Sequence, residues 1–587
     1  MKATRLLSNV FMALSTASEH LRDDPAVLAL QMSRKIPSPA VELLAKAAAM
    51  VPGQLLPAMS EMSCGRTADL ERRLATVSAG GISSRAAIRL ANVAIAAGLP
   101  THAAELLAAV PSGTPGRRAV QARLRWYLGD MSGALRALDA PRCTVSERRQ
   151  RFRLASELAV FEGWDPTLDA VPDYRGDPGS VLHVLTNSLP STTSGYAQRS
   201  HSLLRAQSEA GWEVHAVTRI GYPVQVGKLW ATDVDVIDGV TYHRLLPLRL
   251  ATGMSARLQQ QTEAVMALAL ELKPDVLHTT THFVNGVVTS AVAEALGIPW
   301  VYEVRGQLAD TWASTREPSA MLSERYRLFK ARESEMVRRA SLVGTLGSEM
   351  RDAILGSDAE TKSRNILLLP NAVGGAYLRP PTEPLKAREE LGLPLASVAI
   401  GTVSSLVDYE GIDDLLRAFQ LIAARHPAAY CLVVGDGAAA PALKTLAMEL
   451  GIADRVMFPG RVPRSTAHLW HQALDVFVVP RKDLPVTRAV TPLKPVEASA
   501  SARPVAISDL PALKELVEDG VTGLIFAPEN PASMAVVLER LINDDNLRHG
   551  LGAAGRERVL AERTWAANAG TVLHAYSGLR GRNRNDW

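Results

Sequence analysis

The residues best suited to chemistry lie in one stretch, "VTRAVTPLKPVEASA" (Val486 to Ala500), which sets Arg488, Lys494 and Glu497 among prolines and small residues. It follows an apolar run that reads as a strand, and it opens into a helix predicted to begin between Pro492 and Pro495. The free amides at such a helix start face an anion. Lys494 and Arg488 would then neutralise a phosphate, and the Glu497 carboxylate would accept from the vicinal hydroxyls of a ribose. The plainer alternative is one exposed pair of Lys494 and Glu497, three residues apart on a helix surface.

Other stretches put polar groups where strands end. "GTVSSLVDYEGIDDLLRAF" places Gly401, Ser404 and Ser405 in a loop before a helix, with Glu410 and Gly411 near the helix start. "VVGDG" closes a strand on Gly435, Asp436 and Gly437, a tight turn that either leaves room for a flat ring or is a turn and nothing more. Earlier in the chain, "TNSLPSTTSGYAQRSHSLLRA" runs from a strand through a Ser/Thr/Gly loop into a helix. Gly195 there admits close approach of an anion or a hydroxyl-rich group, and a capped turn without chemistry is the alternative. "HTTTHFVNG" ends a strand with His278 and His282, and "YEVRGQLADTW" brings Glu303, Arg305 and Asp310 to another strand end. Such charges are costly unless paired or ligand-bound, and an internal Glu303–Arg305 pair is the simplest way to satisfy them.

The elements that must position these residues follow from periodicity. Residues 1–163 are rich in Ala and Leu at helical spacing. Two segments, "AAGLPTHAAELLAAV" and "YLGDMSGALRALDA", repeat a glycine and a later alanine at an offset of 31 residues, Gly98 and Ala103 against Gly129 and Ala134. That period fits a helix-turn-helix repeat of tetratricopeptide type, another α-bundle being the alternative. Residues 164–180, "WDPTLDAVPDYRGDPGS", read as a linker. Strand–helix alternation then begins twice, over 181–385 and over 386–565, and predicts two Rossmann-like domains whose cleft is the ligand site. Residues 566–587 form a final helix and a basic tail.

Composition bounds the function. A chain of 587 residues with 47% hydrophobic and 21% charged residues exceeds one ordinary core, and a net charge of +4 gives no basic face for nucleic acid. The three cysteines, Cys64, Cys143 and Cys431, have no spacing for a disulfide framework or zinc site. The N-terminus predicts an amphipathic helix rather than a signal peptide, and no apolar run approaches the ~18 residues of a membrane span. A cytoplasmic location is expected. The helix in "SERYRLFKARESEMVRRAS" reads as a solvated charged face; contact with an anionic membrane surface at the inner face of the membrane is the other reading.

From Val181 to Trp565 the order of motifs resembles the retaining glycosyltransferases of family 4, which have the GT-B fold. The likeness is carried by "GTVSSLVDYEGIDDLLRAF", "LVVGDG", "VTPLKPVEASASARPVAISDLPALKELVEDGVTGLIFAPEN" and "RTWAANAGTVLHAY", and by "PNAVG" at Pro370 and Asn371. The resemblance implies an α/β chain of two Rossmann-like domains facing a cleft, here preceded by an all-α domain. It implies donor binding by Glu497, Thr491, Leu493, Ser405, Glu410, Gly435, Arg481 and Arg488, and an acceptor-side loop at Gly195 and Tyr196. Lys494 near the donor diphosphate, with His282 and Arg305 on the acceptor side, would carry the catalytic roles. The final stretch resembles the helix that crosses back to the first domain.

Three positions depart from the family. Ala489 stands eight residues before Glu497, where the first glutamate of the Glu-x7-Glu motif belongs. Thr402 and Glu410 replace the arginine and lysine that hold the donor diphosphate, and Lys494 with Arg481 or Arg488 would compensate. The "YEG" and "TPLKP" forms are those of a subgroup. The expected activity is transfer of a sugar from a nucleotide diphosphate donor to a sugar, glycan or lipid-linked acceptor with retention, in polysaccharide or cell-envelope glycan synthesis. Neither a cofactor nor an essential metal is expected, and the N-terminal helices are the expected site of a protein partner. Two rival readings are a non-catalytic scaffold with a degenerate nucleotide-sugar site and a nucleotide-sugar epimerase or hydrolase.

Overall fold

The structure is a computed structural model that describes residues 2–23, 53–356, 365–395 and 398–579. The basic tail predicted after the last helix lies outside the described residues from position 580. Two sheets follow the helical segment. The first contains β1 (Ser180–Leu185), β2 (Glu213–Thr218), β3 (Val234–Ile237), β4 (Val240–Arg244), β5 (Val276–Thr280), β6 (Trp300–Val304), β7 (Leu342–Thr345) and β8 (Ile366–Leu368). Their order is β3-β4-β2-β1-β5-β6-β7-β8, and only β3 is antiparallel to its neighbour. The second contains β9 (Ala399–Val403), β10 (Tyr430–Val434), β11 (Val456–Gly460), β12 (Val476–Val479), β13 (Val505–Ser508) and β14 (Gly523–Phe526) in the order β11-β10-β9-β12-β13-β14, all parallel.

The strand order reverses at β1 in one sheet and at β9 in the other. A crevice opens where neighbouring strands send their connections to opposite faces, so the loops after β1 and β9 are where a ligand belongs. These are the loops that carry Gly195 and Ser405.

The antiparallel pair β3–β4 is absent from the sequence reading. Its signal is present: Asp238 and Gly239 join Ile237 and Val240 with φ of 49° and 82°, the two left-handed residues of a tight hairpin turn. The short β8 also escaped the reading, because three residues of "ILL" carry too little pattern.

The described residues of the N-terminal segment are helical as read. Helices Ser84–Ala96 and Pro100–Ala108 form one antiparallel hairpin, and Arg117–Leu128 and Met131–Ala137 form the next. Gly98 and Gly129 occupy the turns with φ of 80° and 88°, a conformation side chains resist. Ala103 and Ala134, the matching small residues, are fully buried where the paired helices meet.

This helical segment does not stand apart. Phe161, at the end of helix Val145–Phe161, packs edge-to-face on Phe283 and Phe329 of the first sheet domain, with centroids 5.2 and 5.6 Å away. Met131, Leu158, Val160 and Phe161 belong to the same core as Leu182, Val287 and Tyr302. Residues 164–180, expected as a linker, lie along that domain: Trp164, Leu168, Val171 and Tyr174 pack on its core, and the Val171 N–H donates to the Ala295 carbonyl at 2.8 Å.

Helix Glu324–Arg339 corrects a second expectation. Several of its cations are paired within the molecule. Arg332 is buried and pairs with Asp165 at 2.5 Å, Arg339 pairs with the same Asp165, and Lys330 pairs with Asp310 at 2.9 Å. Ser132 of the helical segment donates its N–H to Glu324 at 2.7 Å. Part of the charge that read as a solvated face therefore binds residues 164–180, through Asp165, and the helical segment, through Ser132. No described helix is long and apolar enough to cross a membrane.

Helix Trp565–Leu579 returns to the first domain and packs on helix Gly195–Glu209. Its Tyr576 is fully buried beside β5, where the hydroxyl meets His278 Nδ1 and accepts from Gln207 at 3.2 Å.

Candidate functional site

The site is built where the loops after β9, β10 and β12 converge with helix Lys494–Ala500. Pro495 sits in the first turn of that helix, where its missing N–H costs nothing. Lys494 opens the helix, and Glu497 lies one turn on.

Lys494 is the centre of a buried ionic cluster. Its ammonium lies 2.6 Å from Glu410 Oε2 and donates to Ser404 Oγ at 2.7 Å. Arg481, just after β12, donates to Glu410 Oε1 at 3.1 Å and to the Val490 carbonyl at 2.8 Å. Burial works against the Glu410 carboxylate, but Arg481 and Lys494 together hold it down to about 2. Burial lowers Lys494 to about 8, against the pull of Glu410. Glu410 thus occupies the family's lysine position as the counter-ion of two cations. Of the two candidates for compensating cation, the structure joins Arg481 to Lys494. Arg488 is exposed and forms a two-pronged contact with Asp483 at 2.9 Å, away from the cluster.

Glu497 has no part in that cluster, so the exposed-pair reading of Lys494 and Glu497 does not hold. Its side chain is 24% exposed and makes no hydrogen bond among the described residues; His471 Nε2, on a ring that burial keeps neutral, lies 3.7 Å away. Burial raises its carboxyl to about 7, against Arg464 and Lys494. A partly buried carboxyl without a donor is uncommon and calls for an explanation.

The glycines of the site serve backbone packing. A Cβ on Gly411, at φ 68°, would strike the Pro480 carbonyl, and one on Gly435 would strike the Ser404 carbonyl. Gly435 is therefore required by the close approach of the loop beside it. Ser405 is exposed on that loop. Thr491 is buried, its carbonyl accepts from Asn371 Nδ2 at 2.8 Å, and its Oγ1 has no partner among the described residues. Leu493 packs on Ala206, Ala372, Trp565 and Ala569 at the junction of the two domains.

Across the cleft, Gly195 begins helix Gly195–Glu209 with open space where a side chain would lie, and Ser194 Oγ accepts from the Ala197 N–H at 3.3 Å. Tyr196 is 47% exposed, and a Cβ on Gly306 would come within 2.8 Å of its hydroxyl. The loop after β1 and the end of β6 therefore meet at Tyr196.

Two acceptor-side expectations need correction. Arg305 is 2% exposed; it donates to Glu303 at 2.5 Å and to Ser200 at 2.6 Å, while Arg199 holds the other Glu303 oxygen at 2.5 Å. Glu303 needs both guanidiniums because a lone buried carboxylate would be expensive, so Arg305 is a structural partner. His282 caps helix Phe283–Leu296, its Nδ1 accepting from the Val284 N–H at 3.3 Å, and its ring packs on Phe283 and Phe329. Burial, with Arg325 nearby, lowers the ring to about 4. Its environment is aromatic packing against the helical segment.

Spacing in the sequence did not reveal Arg464 or His471 of helix Arg464–Gln472. Arg464 reaches Ser202 of the first domain at 3.4 Å, and His471 lies behind Glu497. Both come from a helix whose pattern reads as ordinary packing. Among the described residues no group of three or more His, Cys, Asp or Glu is placed to hold a metal ion.

Comparison with known proteins gives consistent results. Residues 194–372 match the Glycosyl transferase 4-like domain and residues 385–558 match Glycosyl transferases group 1. A D-inositol 3-phosphate glycosyltransferase of Corynebacterium diphtheriae is 28% identical over 414 residues, 68% of this chain and 93% of that protein. Among solved structures, the sucrose-phosphate synthase of Thermosynechococcus elongatus overlays with a TM-score of 0.57 at 23% identity, over 68% of this chain and 99% of that one. Anabaena HepE in complex with UDP gives 0.53 at 16% identity, over 68% and 100%. Both share the two-domain fold.

Proposed function

Because this chain belongs to the family 4 glycosyltransferases of GT-B fold, we propose that it takes its sugar from a nucleotide diphosphate donor and transfers it with retention to a sugar, glycan or lipid-linked acceptor. One observation carries the reading: the Glu497 side chain, partly exposed and one turn after Lys494, makes no hydrogen bond among the described residues. Its acceptor capacity suits ribose hydroxyls. Lys494 and Arg481 stand where the diphosphate charge would develop, and they stabilise a leaving group without a metal. The departing phosphate assists attack on the same face, so no protein nucleophile is required. Gly195 and Tyr196 face the incoming acceptor. HepE, crystallised with UDP, supports a uridine nucleotide as the first donor to try, and polysaccharide or envelope glycan synthesis remains the setting we propose.

The scaffold reading draws on one feature, the partial neutralisation of Lys494 and Arg481 by the single carboxylate of Glu410. The test for both is thermal stabilisation across a panel of nucleotide sugars and free nucleotides, with Glu497→Ala alongside. A ligand at 100 times its Kd adds about 2.7 kcal/mol to the folded state. We expect at least one nucleotide sugar to raise the Tm of the wild type and not of the variant. An unresponsive wild type would favour the scaffold.

A further inference from the structure

Asn371 follows β8, where the chain leaves the first sheet domain for the second, and it is 5% exposed. Its partners fix the orientation of its amide. Arg199, whose guanidinium only donates, lies 3.1 Å from Oδ1, and the Thr491 carbonyl, which only accepts, lies 2.8 Å from Nδ2. An isosteric carboxylate would keep the first contact and turn an acceptor toward the second.

Each partner is itself held. Arg199 lies one turn into helix Gly195–Glu209, so it moves with the loop of Gly195 and Tyr196. Besides Asn371, its guanidinium donates to Glu303 of β6 at 3.1 and 2.5 Å and to the Leu369 and Pro370 carbonyls at 2.5 and 3.0 Å. These contacts occupy all five of its N–H groups and leave none for a ligand. The returning crossing is tied to the same place: the Val373 N–H donates to the Arg563 carbonyl at 2.9 Å, and Asn568 Nδ2 donates to the Pro370 carbonyl at 2.7 Å. On the other side, residues 490–493 join helix Pro485–Ala489 to helix Lys494–Ala500. The Val490 carbonyl is held by Arg481 at 2.8 Å, and Arg481 and Lys494 share Glu410. The turn that delivers Lys494 is thus pinned to its own domain through Val490 and to the first domain through Thr491.

We propose that Asn371 is a positioning residue: through Arg199 on one side and the Thr491 carbonyl on the other, it sets the place of Lys494 relative to the acceptor-side loop of Gly195 and Tyr196. The inference rests on the reading of Lys494 as the cation of the donor diphosphate and of that loop as the acceptor side. It makes the domain crossing part of the reaction geometry, because a cation stabilises a leaving group only from the right distance.

Two measurements test it. The first needs no ligand: hydrogen exchange of the whole protein, wild type against Asn371→Asp, which keeps an acceptor for Arg199 and sets two acceptors face to face at Thr491. We expect exchange to rise about tenfold at the Val490 and Glu497 N–H groups, which donate to Val486 and Leu493 at the two ends of the turn, while β1 and β5 keep their wild-type rates. Uniform acceleration across both domains, or no change at Val490 and Glu497, overturns the proposal. Asn371→Ala, which introduces no charge, should show the same local pattern and serves if the aspartate variant does not fold. The second is the steady-state hydrolysis of UDP-glucose to UDP and glucose, with water as the acceptor. We expect kcat to fall about 10²-fold in Asn371→Asp, as a misplacement near 1 Å produces, with KM within about twofold of the wild type. A raised KM with unchanged kcat assigns Asn371 to ground-state binding and overturns the positioning role. If the wild type releases no UDP, calorimetric binding of UDP-glucose decides the donor reading and hydrogen exchange alone decides the role of Asn371.

Discussion

At the scale of single residues, the site holds two titrating groups with opposite demands. In the proposed donor site Glu497 accepts two hydroxyls as a carboxylate, and burial raises its carboxyl to about 7. Lys494 must be charged to meet a diphosphate, and it loses its proton above about 8. The profile of kcat/KM reports such groups in the free enzyme. We therefore expect a narrow bell with its top between these values, rising as Glu497 deprotonates and falling as Lys494 does. Lys494→Ala should lower kcat by about 10²–10³, the usual effect of deleting one charge-stabilising donor. Glu410 has the reverse sign of interest for stability. Held at about 2, it contributes stability at every pH above the ordinary carboxylate range and loses it as pH falls through that value. Glu410→Gln should cost about 3–5 kcal/mol by leaving two buried cations uncompensated, visible as a lower midpoint in urea. The same variant should move the alkaline limb of the bell to lower pH, since Lys494 loses its counter-ion.

At the scale of elements, the helical segment is held by an aromatic wedge and by ion pairs to helix Glu324–Arg339. Phe161 is 3% exposed between Phe283 and Phe329. Phe161→Ala should cost about 3–5 kcal/mol, the range for deleting a buried ring. Because its neighbours belong to the core that contains β6, calorimetry should show the first sheet domain melting earlier, and not the helical segment alone. The repeated hairpins were legible: Gly98 and Gly129 sit in matching left-handed turns because only glycine adopts them without strain. The docking face was not. Arg332 and Arg339 follow a pattern that would equally suit solvent, and Asp165, which turns them inward, lies 167 residues upstream of Arg332.

At the scale of the whole molecule, contacts from several elements hold the two sheet domains against each other. Asn371 joins them by accepting from Arg199 at 3.1 Å and donating to the Thr491 carbonyl at 2.8 Å. Glu515 of the second domain caps helix Ser348–Leu355 of the first, accepting from the N–H groups of Ser348 and Glu349 at 2.9 and 2.7 Å. Gly347 makes this possible, since a Cβ there would meet the Glu515 carboxylate. Helix Trp565–Leu579 closes the circuit through Tyr576. Glu515→Ala removes an N-terminal cap, a loss of about 0.5–2 kcal/mol. Hydrogen exchange should then accelerate at the start of helix Ser348–Leu355, and small-angle scattering should show a wider spread of domain orientations.

Alternation of apolar strands with helices determined two doubly wound sheets, because side chains buried on both faces of a parallel strand leave a continuous apolar run that survives in the sequence. Strand ends and prolines determined the neighbourhood of Lys494 and Glu497 for the same local reason. What tertiary structure alone decided is which charges remain free. Glu303 took Arg305, Glu410 took Lys494 and Arg481, Asp483 took Arg488, and Glu497 was left without a donor. A buried charge is satisfied by whatever partner the fold brings within a few ångströms, and that partner usually lies far away along the chain.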